Sequence, residues 1–251
     1  MPKLHRKRSL LAKIESSYGT DPTPTGSSNY VEVVDLEIEP VASDEVEQET
    51  IRPYPGNYPV LLANTRVNLS FGVYMVGSGS AGTAPKYDPI LKACGLSAAT
   101  VSSTSVTYTP STLASQDSCT FFVNYDGVRH KVTGARGTFS ISCAVNEIPR
   151  INFEMQGIFS TITDTALPTV TKSLQPDPVL FKNGNTSSFS IFGFSAALQS
   201  WELDFANEVI YRELVGGTKE ALITDRRPSG TMVVEAVALS DKNFFTTATG
   251  T

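Results

Sequence analysis

Apolar and polar residues alternate over most of this chain, and that period of two constrains its fold more than any other feature. Successive side chains of a β-strand point to opposite faces, so alternation predicts strands with one buried face. The clearest pair is Thr138–Val145 and Arg150–Ser160, joined by the turn Asn146–Pro149. Their apolar face holds Phe139, Ile141, Cys143, Val145, Ile151, Phe153 and Met155. Their polar face holds Thr138, Ser140, Ser142, Asn152, Glu154 and Gln156. The pattern predicts an amphipathic antiparallel hairpin.

Further strand patterns lie on both sides of this hairpin. They cover residues 34–39, 66–76, 106–108, 119–125 and 128–132, and then Phe189–Phe194, Gln199–Ala206, Ala221–Thr224 and Thr231–Leu239. One short helix is predicted between Pro85, which suits a first helical turn, and Gly95, which suits a C-terminal stop. About ten short strands with one flanking helix and extended loops predict an all-β fold, an antiparallel β-sandwich or barrel.

Residues 1–29 differ in composition from the rest and are predicted to form an N-terminal arm. Residues 1–15 hold five bases and one acid, and residues 18–28 are Pro, Gly, Asp21 and hydroxyl-bearing residues. Such a segment buries too little apolar surface to offset the entropy of ordering itself. We therefore expect residues 1–28 to be unfolded in the free subunit and ordered against another subunit. The β domain then spans residues 30–251, with a further division near the linker-like residues 167–178.

Charge is distributed unevenly along the chain. The net charge is −5, and because residues 1–15 carry +4, residues 16–251 carry −9. No base relieves the eight acids between Tyr30 and Ile51. Nonspecific phosphate binding needs Lys and Arg, so an acidic body argues against nucleic-acid binding. The basic arm has two interpretations, a short nucleic-acid tail or a clasp on the acidic segment of a neighbouring subunit, and charge complementarity favours the clasp.

Cysteine content and hydropathy restrict the class of protein further. Cys94, Cys119 and Cys143 are odd in number and far apart, so they predict no disulfide framework and are interpreted as small buried residues. No window of 18 apolar residues exists, which predicts no transmembrane helix and no membrane partner. Lys13 and Glu15 interrupt the apolar run that follows the basic residues 6–8, so a signal peptide is not expected.

A glycine motif resembles a dinucleotide-binding fingerprint. The motif is Gly77-x-Gly79-x-x-Gly82, and it follows a predicted strand. The fingerprint needs a helix opening at the third glycine and an acid about 20 residues further on. Here Thr83–Pro85 intervenes and no acid lies near position 102. We expect a flexible loop and no cofactor.

The segment Trp201–Glu208 resembles the paired carboxylates of β-sandwich glycoside hydrolases. A retaining pair needs carboxyl groups about 5–5.5 Å apart, whereas Glu202 and Glu208 would lie about 20 Å apart along a strand. Glu202 and Asp204 are expected on a polar outer face instead. His5 and His130 have no nucleophile or zinc ligand at recognisable spacing, and His130 is expected to be exposed. We predict no catalytic, cofactor-binding or metal-binding residues, and no enzyme activity.

Four sequence segments carry a resemblance to a known family. In order they are LLAKIESSYGTDPTPTG with the later RPYPGNYP, GSGSAGTAPKYDPILKACGL, the VTGARGTFSI–NEIPRINFEMQGIF hairpin, and DFANEVIYRELVGGTKEALITDRRPSGTMVVE. Together they cover most of the chain. The chain resembles a tail tube (major tail) protein of long flexible-tailed bacteriophages.

The resemblance implies a structural virion protein that needs no cofactor. It implies rings of six subunits, stacked into a tail tube and assembled in the host bacterial cytoplasm. The expected partners are further copies of the chain, the tape measure protein, the tail terminator and the baseplate or distal tail proteins. Genomic DNA is expected to pass through the lumen without specific binding. The hairpin Thr138–Ser160 is the candidate lining, because its polar face is mostly uncharged.

Two alternatives from other classes stay open. A capsid decoration or receptor-binding protein is also a non-enzymatic β-sandwich, although Trp201 and scattered tyrosines supply no aromatic binding cluster. A carbohydrate-active enzyme is disfavoured by the carboxylate spacing. Relatives in the family carry another pair of strands after the segment matching Thr231–Leu239, whereas this chain ends in a Thr-rich tail. The arm or a neighbouring subunit is expected to close that sheet edge.

Overall fold

The computed structural model describes residues 4, 6–112, 114–186 and 189–249. Strands dominate it, and the prediction of an all-β antiparallel fold is confirmed. The strands are β1 (Arg8–Ile14), β2 (Tyr30–Val31), β3 (Val34–Glu47), β4 (Val60–Tyr74), β5 (Leu96–Val101), β6 (Ser105–Pro110), β7 (Cys119–Tyr125), β8 (Val128–Ala144), β9 (Arg150–Phe159), β10 (Thr163–Asp164), β11 (Leu198–Asp204), β12 (Asn207–Arg212), β13 (Glu220–Arg226) and β14 (Ser229–Val234). The helices are α1 (Gly26–Asn29), α2 (Asp88–Ala93) and α3 (Phe244–Thr249).

Strand β8 organises the largest sheet, because its 17 residues pair with different neighbours along its length. On one edge its first half pairs with β7 and its last five residues pair with β11. On the other edge it pairs with β9 over most of its length. The main path is β2-β1-β7-β8-β9-β4-β3, and β14-β11 joins it at the end of β8. The order β14-β11-β8-β9-β4-β3 therefore forms a continuous six-stranded surface.

Two glycines shape the contact of β8 with β9, in the region where its neighbour on the other edge changes from β7 to β11. Gly134 has a φ of +60°, in the left-handed region, and the β8–β9 register shifts beside it. A Cβ atom at Gly137 would lie 2.1 Å from the carbonyl oxygen of Glu154. Only glycine therefore permits β9 to approach this closely.

The predicted apolar face of the hairpin forms the centre of the core. Phe139 and Phe153 share the apolar face, as the sequence pattern predicted, and they lie opposite each other across β8 and β9. Phe153 stacks on Phe71 of β4 with ring centroids 5.4 Å apart, and Phe139 stacks on Phe205 at 4.6 Å. Aromatic pairs at these distances add stabilisation beyond their buried area.

Helix α2 covers this core, and its prediction is confirmed with a later start. It begins at Asp88 rather than at Pro85, which instead accepts a hydrogen bond from the Asp88 amide in the preceding turn. It ends before Gly95, whose φ of +79° is the left-handed conformation expected after a helix. Its buried residues are Ile90, Leu91 and Ala93.

The N-terminal segment is the main correction to the sequence-based expectations. β1 lies between β2 and β7 and pairs with all seven residues of β7. Leu10 is 0% exposed, and Leu11 and Ala12 are buried as well. The expectation that residues 1–28 become ordered only against another subunit is therefore wrong for residues 8–14. The few apolar residues of the arm are consecutive, so they give β1 a buried centre on both faces of the sheet.

Three other expectations concern single segments. The strand predicted at Phe189–Phe194 is wrong, because Gly193 at φ +76° closes a turn with a single bridge between Ile191 and Phe194. The strand predicted at 231–239 is β14, which ends at Val234. The strand pattern at residues 106–108 corresponds to β6, which pairs with β5 in a hairpin. Residues 167–178 form no strand or helix, and a domain division there stays a prediction.

Candidate assembly surfaces

One face of the six-stranded surface is polar and acidic. Its cross-strand rows are Glu37–Ser70–Glu154–Thr138, Glu39–Asn68–Gln156–Arg136, Gly72–Asn152–Ser140–Asp204 and Tyr74–Arg150–Ser142–Glu202. Residues that pair across a sheet share a face, so the polar side of the predicted hairpin continues onto β3, β4 and β11. These rows contain five carboxylates and two guanidinium groups, and one of the guanidinium groups, that of Arg136, is buried.

Hydrogen bonds order this face. The Nδ2 atom of Asn68 donates to Glu39 at 2.7 Å, and Nε2 of Gln156 donates to Asn68 at 3.2 Å. Arg150 pairs with Asp35 at 2.7 Å, and this hydrogen bond raises the pKa of the guanidinium group. The face therefore presents a fixed wall of carboxylate, amide and hydroxyl groups.

A hollow of about 550 Å³ opens on the polar face. It is lined by Glu37, Glu39, Glu154 and Gln156 on the sheet and by Asn207 and Val209 from β12. Within the described part of the chain, no group of three or more His, Cys, Asp or Glu residues could hold a metal ion. The carboxylate and amide groups that line the hollow make it a hydrogen-bonding surface.

Two open strand edges flank the six-stranded surface. Over the residues that the structure describes, β3 pairs only with β4 and β14 pairs only with β11. An unpaired edge presents a row of free N–H and C=O groups to another strand. The final sheet edge, whose closure the sequence left open, is the outer edge of β14, and among the described strands neither β1 nor any other pairs with it.

The distal hairpin, residues 44–63, extends beyond the rest of the sheet. Its strands pair from Asp44–Ala63 to Glu47–Val60, whereas the β4–β9 ladder ends at Arg66. The hairpin exposes a set of large apolar side chains, namely Val46, Ile51, Tyr54, Tyr58, Val60, Leu61 and Leu62. Ile51 is 104% exposed. An apolar patch of this size is typical of a protein interaction site.

Hydrogen bonds hold the base of the distal hairpin. Asn64 donates to Asp44 at 2.7 Å and Arg66 donates to it at 3.0 Å. These two bonds, led by that of Asn64, lower the pKa of the Asp44 carboxyl group. The hairpin is thus fixed to the body at its base while its tip is exposed.

A buried carboxylate anchors the N-terminal segment to the body. Glu15 accepts hydrogen bonds from Ser118 Oγ (2.6 Å), Thr120 Oγ1 (2.5 Å) and the amides of Gly19 and Gly134 (2.7 Å each). A carboxylate removed from water needs such partners to offset the cost of burial. The four bonds join the end of β1 to β7 and to the bulge of β8.

Tyr18 extends this anchor to β13. Its ring lies 4.6 Å from the guanidinium carbon of Arg136, and its hydroxyl accepts a hydrogen bond from the Ala221 amide at 2.7 Å. Burial raises the pKa of Tyr18 to about 12. Arg136 also donates to the Ala221 carbonyl at 2.8 Å and pairs with Glu220 at 3.2 Å. The N-terminal segment therefore contacts the hairpin formed by β12 and β13.

The carboxylates that were compared with a glycoside hydrolase pair, Glu202, Asp204 and Glu208, are exposed on the surface. Glu202 and Asp204 lie exposed on the polar face of β11, as expected. Asp204 accepts a hydrogen bond from the Ala206 amide at 2.9 Å. Glu208 lies on another strand, β12, opposite Asp225. The glycine motif at 77–82 lies in a loop, and α2 begins six residues after Gly82.

The histidine and cysteine environments are apolar. His130 is half-buried on the side of β8 that faces Tyr125, and burial lowers the pKa of its imidazole. Its expected exposure is therefore wrong, and His5 lies outside the described residues. Cys94, Cys119 and Cys143 are free and buried, and burial raises the pKa of each thiol. No described helix is long and apolar enough to cross a membrane.

Sequence reasoning missed the distal hairpin as a surface. The segment RPYPGNYP at its tip drew attention only through the resemblance, and the alternation of residues 44–49 was interpreted as charge. The available signal was the apolar run Val60-Leu61-Leu62 beside a Pro-rich turn. Such a run normally predicts burial, so its exposure in a subunit indicates a partner.

Comparisons with known proteins identify the family of the chain. The model of the family described as "Phage tail tube protein" matches residues 6–251. Among solved structures, the chain is similar to the anti-feeding prophage cap, the tube terminating cap, at 12% identity and a TM-score of 0.40. That match covers 66% of this chain and 93% of the cap chain. No curated protein sequence matches. Because the family model spans nearly the whole chain, the protein belongs to the phage tail tube protein family and is a structural component of the phage tail.

Proposed function

We propose that copies of this chain join edge to edge into rings, and that the rings stack to form the tail tube. The observation that carries the proposal is the pair of open edges, β3 and β14, on opposite sides of one six-stranded surface. A cyclic arrangement that pairs β14 of one copy with β3 of the next leaves no free edge. The family resemblance implies six copies in each ring.

The distal hairpin supplies the contact between rings. It projects beyond the sheet and exposes apolar side chains that a single subunit leaves in water. The side-by-side pairing of strand edges within a ring is expected to bury about 2,000 Å² or more in total for each neighbour, the range of obligate interfaces.

The part of the acidic polar face that β12 and β13 leave open lines the lumen. Closing the six-stranded surface into a ring turns one face inward, and the opposite face is occupied by the core and α2. Carboxylate, amide and hydroxyl groups repel or weakly solvate phosphates, so DNA passes without being held. The tape measure protein occupies the same channel during assembly in the host cytoplasm. The tail terminator and the baseplate or distal tail proteins bind the two ends. The role is structural, with no catalytic step.

Electron microscopy of the concentrated protein tests the proposal. Wild-type protein is expected to form tubes with a central channel. Val233→Lys on the β14 edge should abolish ring formation, because a charged edge residue opposes strand pairing. Val179→Lys, at an exposed loop position, is the matched control and should form normal tubes. A wild-type chain that stays monomeric by light scattering would contradict the proposal and favour the binding-module alternative.

A further inference from the structure

The turn between β12 and β13 exposes two aliphatic side chains. Leu214 is 54% exposed and Val215 is 109% exposed. The charges beside them are paired within the hairpin, Glu213 with Lys219 at 2.9 Å and Arg212 with Glu220 at 3.1 Å. The tip is therefore both apolar and electrically neutral.

The hairpin that carries this turn is held firmly. The side-chain amide of Gln116 bonds to both the amide and the carbonyl of Ile223, at 3.1 and 2.7 Å. Arg226 donates to Asn207 and to the Gly95 carbonyl, each at 2.9 Å. Together with the Tyr18 and Arg136 contacts on Ala221, these bonds fix β13. Asn207 fixes β12, because its side-chain amide donates to the carbonyls of Cys94 and Gly137 at 2.7 and 2.8 Å. A turn carried on a fixed hairpin loses little conformational entropy when it binds.

The turn lies at one end of the six-stranded surface. β12 passes the hollow on the polar face at Val209, beside Asn68 and Gln156. Tyr211 lies further along β12, near Arg66. The positive charge of Arg66 acts to lower the pKa of Tyr211, although burial raises that pKa overall. Arg66 is the residue of β4 at which the pairing with β9 ends, on the side of the distal hairpin. The turn therefore lies at the same end of the strands as the distal hairpin.

An apolar groove lies at the opposite end of the same strands. It has a volume of about 520 Å³, and its apolar wall includes Val145, Phe181, Ala196, Ala197 and Leu198. The Val145 amide donates to Gln199, and the Asn146 amide donates to Phe181, which fixes the groove to the end of β8. Among the described residues that line it, only Lys182 is charged, so a neutral apolar group suits it.

We propose that the β12–β13 turn of one copy docks into this groove of a second copy in the adjacent ring. A protrusion and a complementary recess at opposite ends of one molecule produce a head-to-tail contact, which repeats along a stack. Burying a leucine and a valine in a preformed apolar groove is favourable, and no charged group loses its partner. The inference rests on the proposed stacking of rings and adds a second contact between them.

Cross-linking of assembled tubes tests this contact. The variant Val215→Cys/Ala197→Cys is treated with a short bismaleimide, and the native cysteines do not compete because they are buried. We expect a ladder of covalent oligomers on denaturing gels, because each copy links to the next. The matched control, Val215→Cys/Thr107→Cys, places the second thiol on the exposed hairpin β5–β6 and should give no ladder.

A second variant measures the strength of the contact. Leu214→Ser/Val215→Ser should raise the protein concentration needed for tube formation about tenfold or more, from the loss of apolar burial. Thr218→Ser in the same hairpin should leave it unchanged. Tubes that form without a ladder, or serine variants that assemble at the wild-type concentration, overturn this inference alone. If the wild-type chain forms no tubes, the proposed function fails, and this inference fails with it.

Discussion

Replacing Leu10 by alanine tests whether β1 is an integral strand of the subunit. Leu10 is 0% exposed in the middle of β1, between β2 and β7. A fully buried Leu→Ala change costs about 2–5 kcal/mol, from lost transfer energy and the cavity left behind. Domains of this kind unfold with about 5–15 kcal/mol, so Leu10→Ala should remove a large fraction of the stability.

Urea unfolding of the subunit, at concentrations below assembly, measures this cost. With a slope of about 1–3 kcal/mol per molar urea, the midpoint should fall by about 1–2 M. Leu4→Ala is the matched control, because Leu4 is the same residue type, is 55% exposed and precedes β1. The free energy of unfolding of this control should change by less than about 0.5 kcal/mol. Equal midpoints for the two variants, or rapid amide exchange at Leu10–Ile14 in the subunit, would refute the placement of β1.

The remaining predictions concern the lumen and Tyr18. Substituting Asn152, Glu154 and Gln156 together by lysine should leave tubes intact but impair DNA delivery, because a cationic wall retains phosphates. An infection assay with imaged tails checks this, and a failure of tube assembly would show that the face packs on protein. Burial raises the pKa of Tyr18 to about 12, above its value of about 10 in an unfolded chain. The unfolded state therefore ionises first, and stability should fall as pH rises from about 10 to about 12. Tyr18→Phe should reduce that pH dependence in urea titrations, whereas the exposed Tyr54→Phe should not.

Sequence patterns correctly predicted the elements whose defining residues lie close together in the chain. The hairpin β8–β9 follows from alternation on both sides of a short polar turn, and Phe139 and Phe153 share its apolar face as expected. Helix α2 lies between the two residues that predicted it, Pro85 and Gly95, although it begins only at Asp88. In both cases the residues that determine the structure lie within about 25 positions of one another.

The features that sequence reasoning missed depend on distant partners. β1 is buried because β7, more than 100 residues away, offers it a complete edge. Composition showed that residues 1–28 could not fold alone, and that conclusion is compatible with burial inside the same subunit. Likewise, the anchor at Glu15 requires Thr120 and Gly134, which no local pattern associates with the N-terminus.

The position of β1 also changes the electrostatic argument for assembly. Lys7 lies 3.6 Å from Asp126, Arg8 donates to the Leu36 carbonyl, and Lys13 donates to the Pro22 carbonyl. These three bases have partners within the subunit, so a clasp on the acidic segment of a neighbour would have to compete with those partners. The distal hairpin keeps its acids and its exposed apolar side chains, such as Ile51. For the proposed stacking of rings, we therefore expect the free energy of contact to come mainly from apolar burial, with the acids limiting which surfaces can approach.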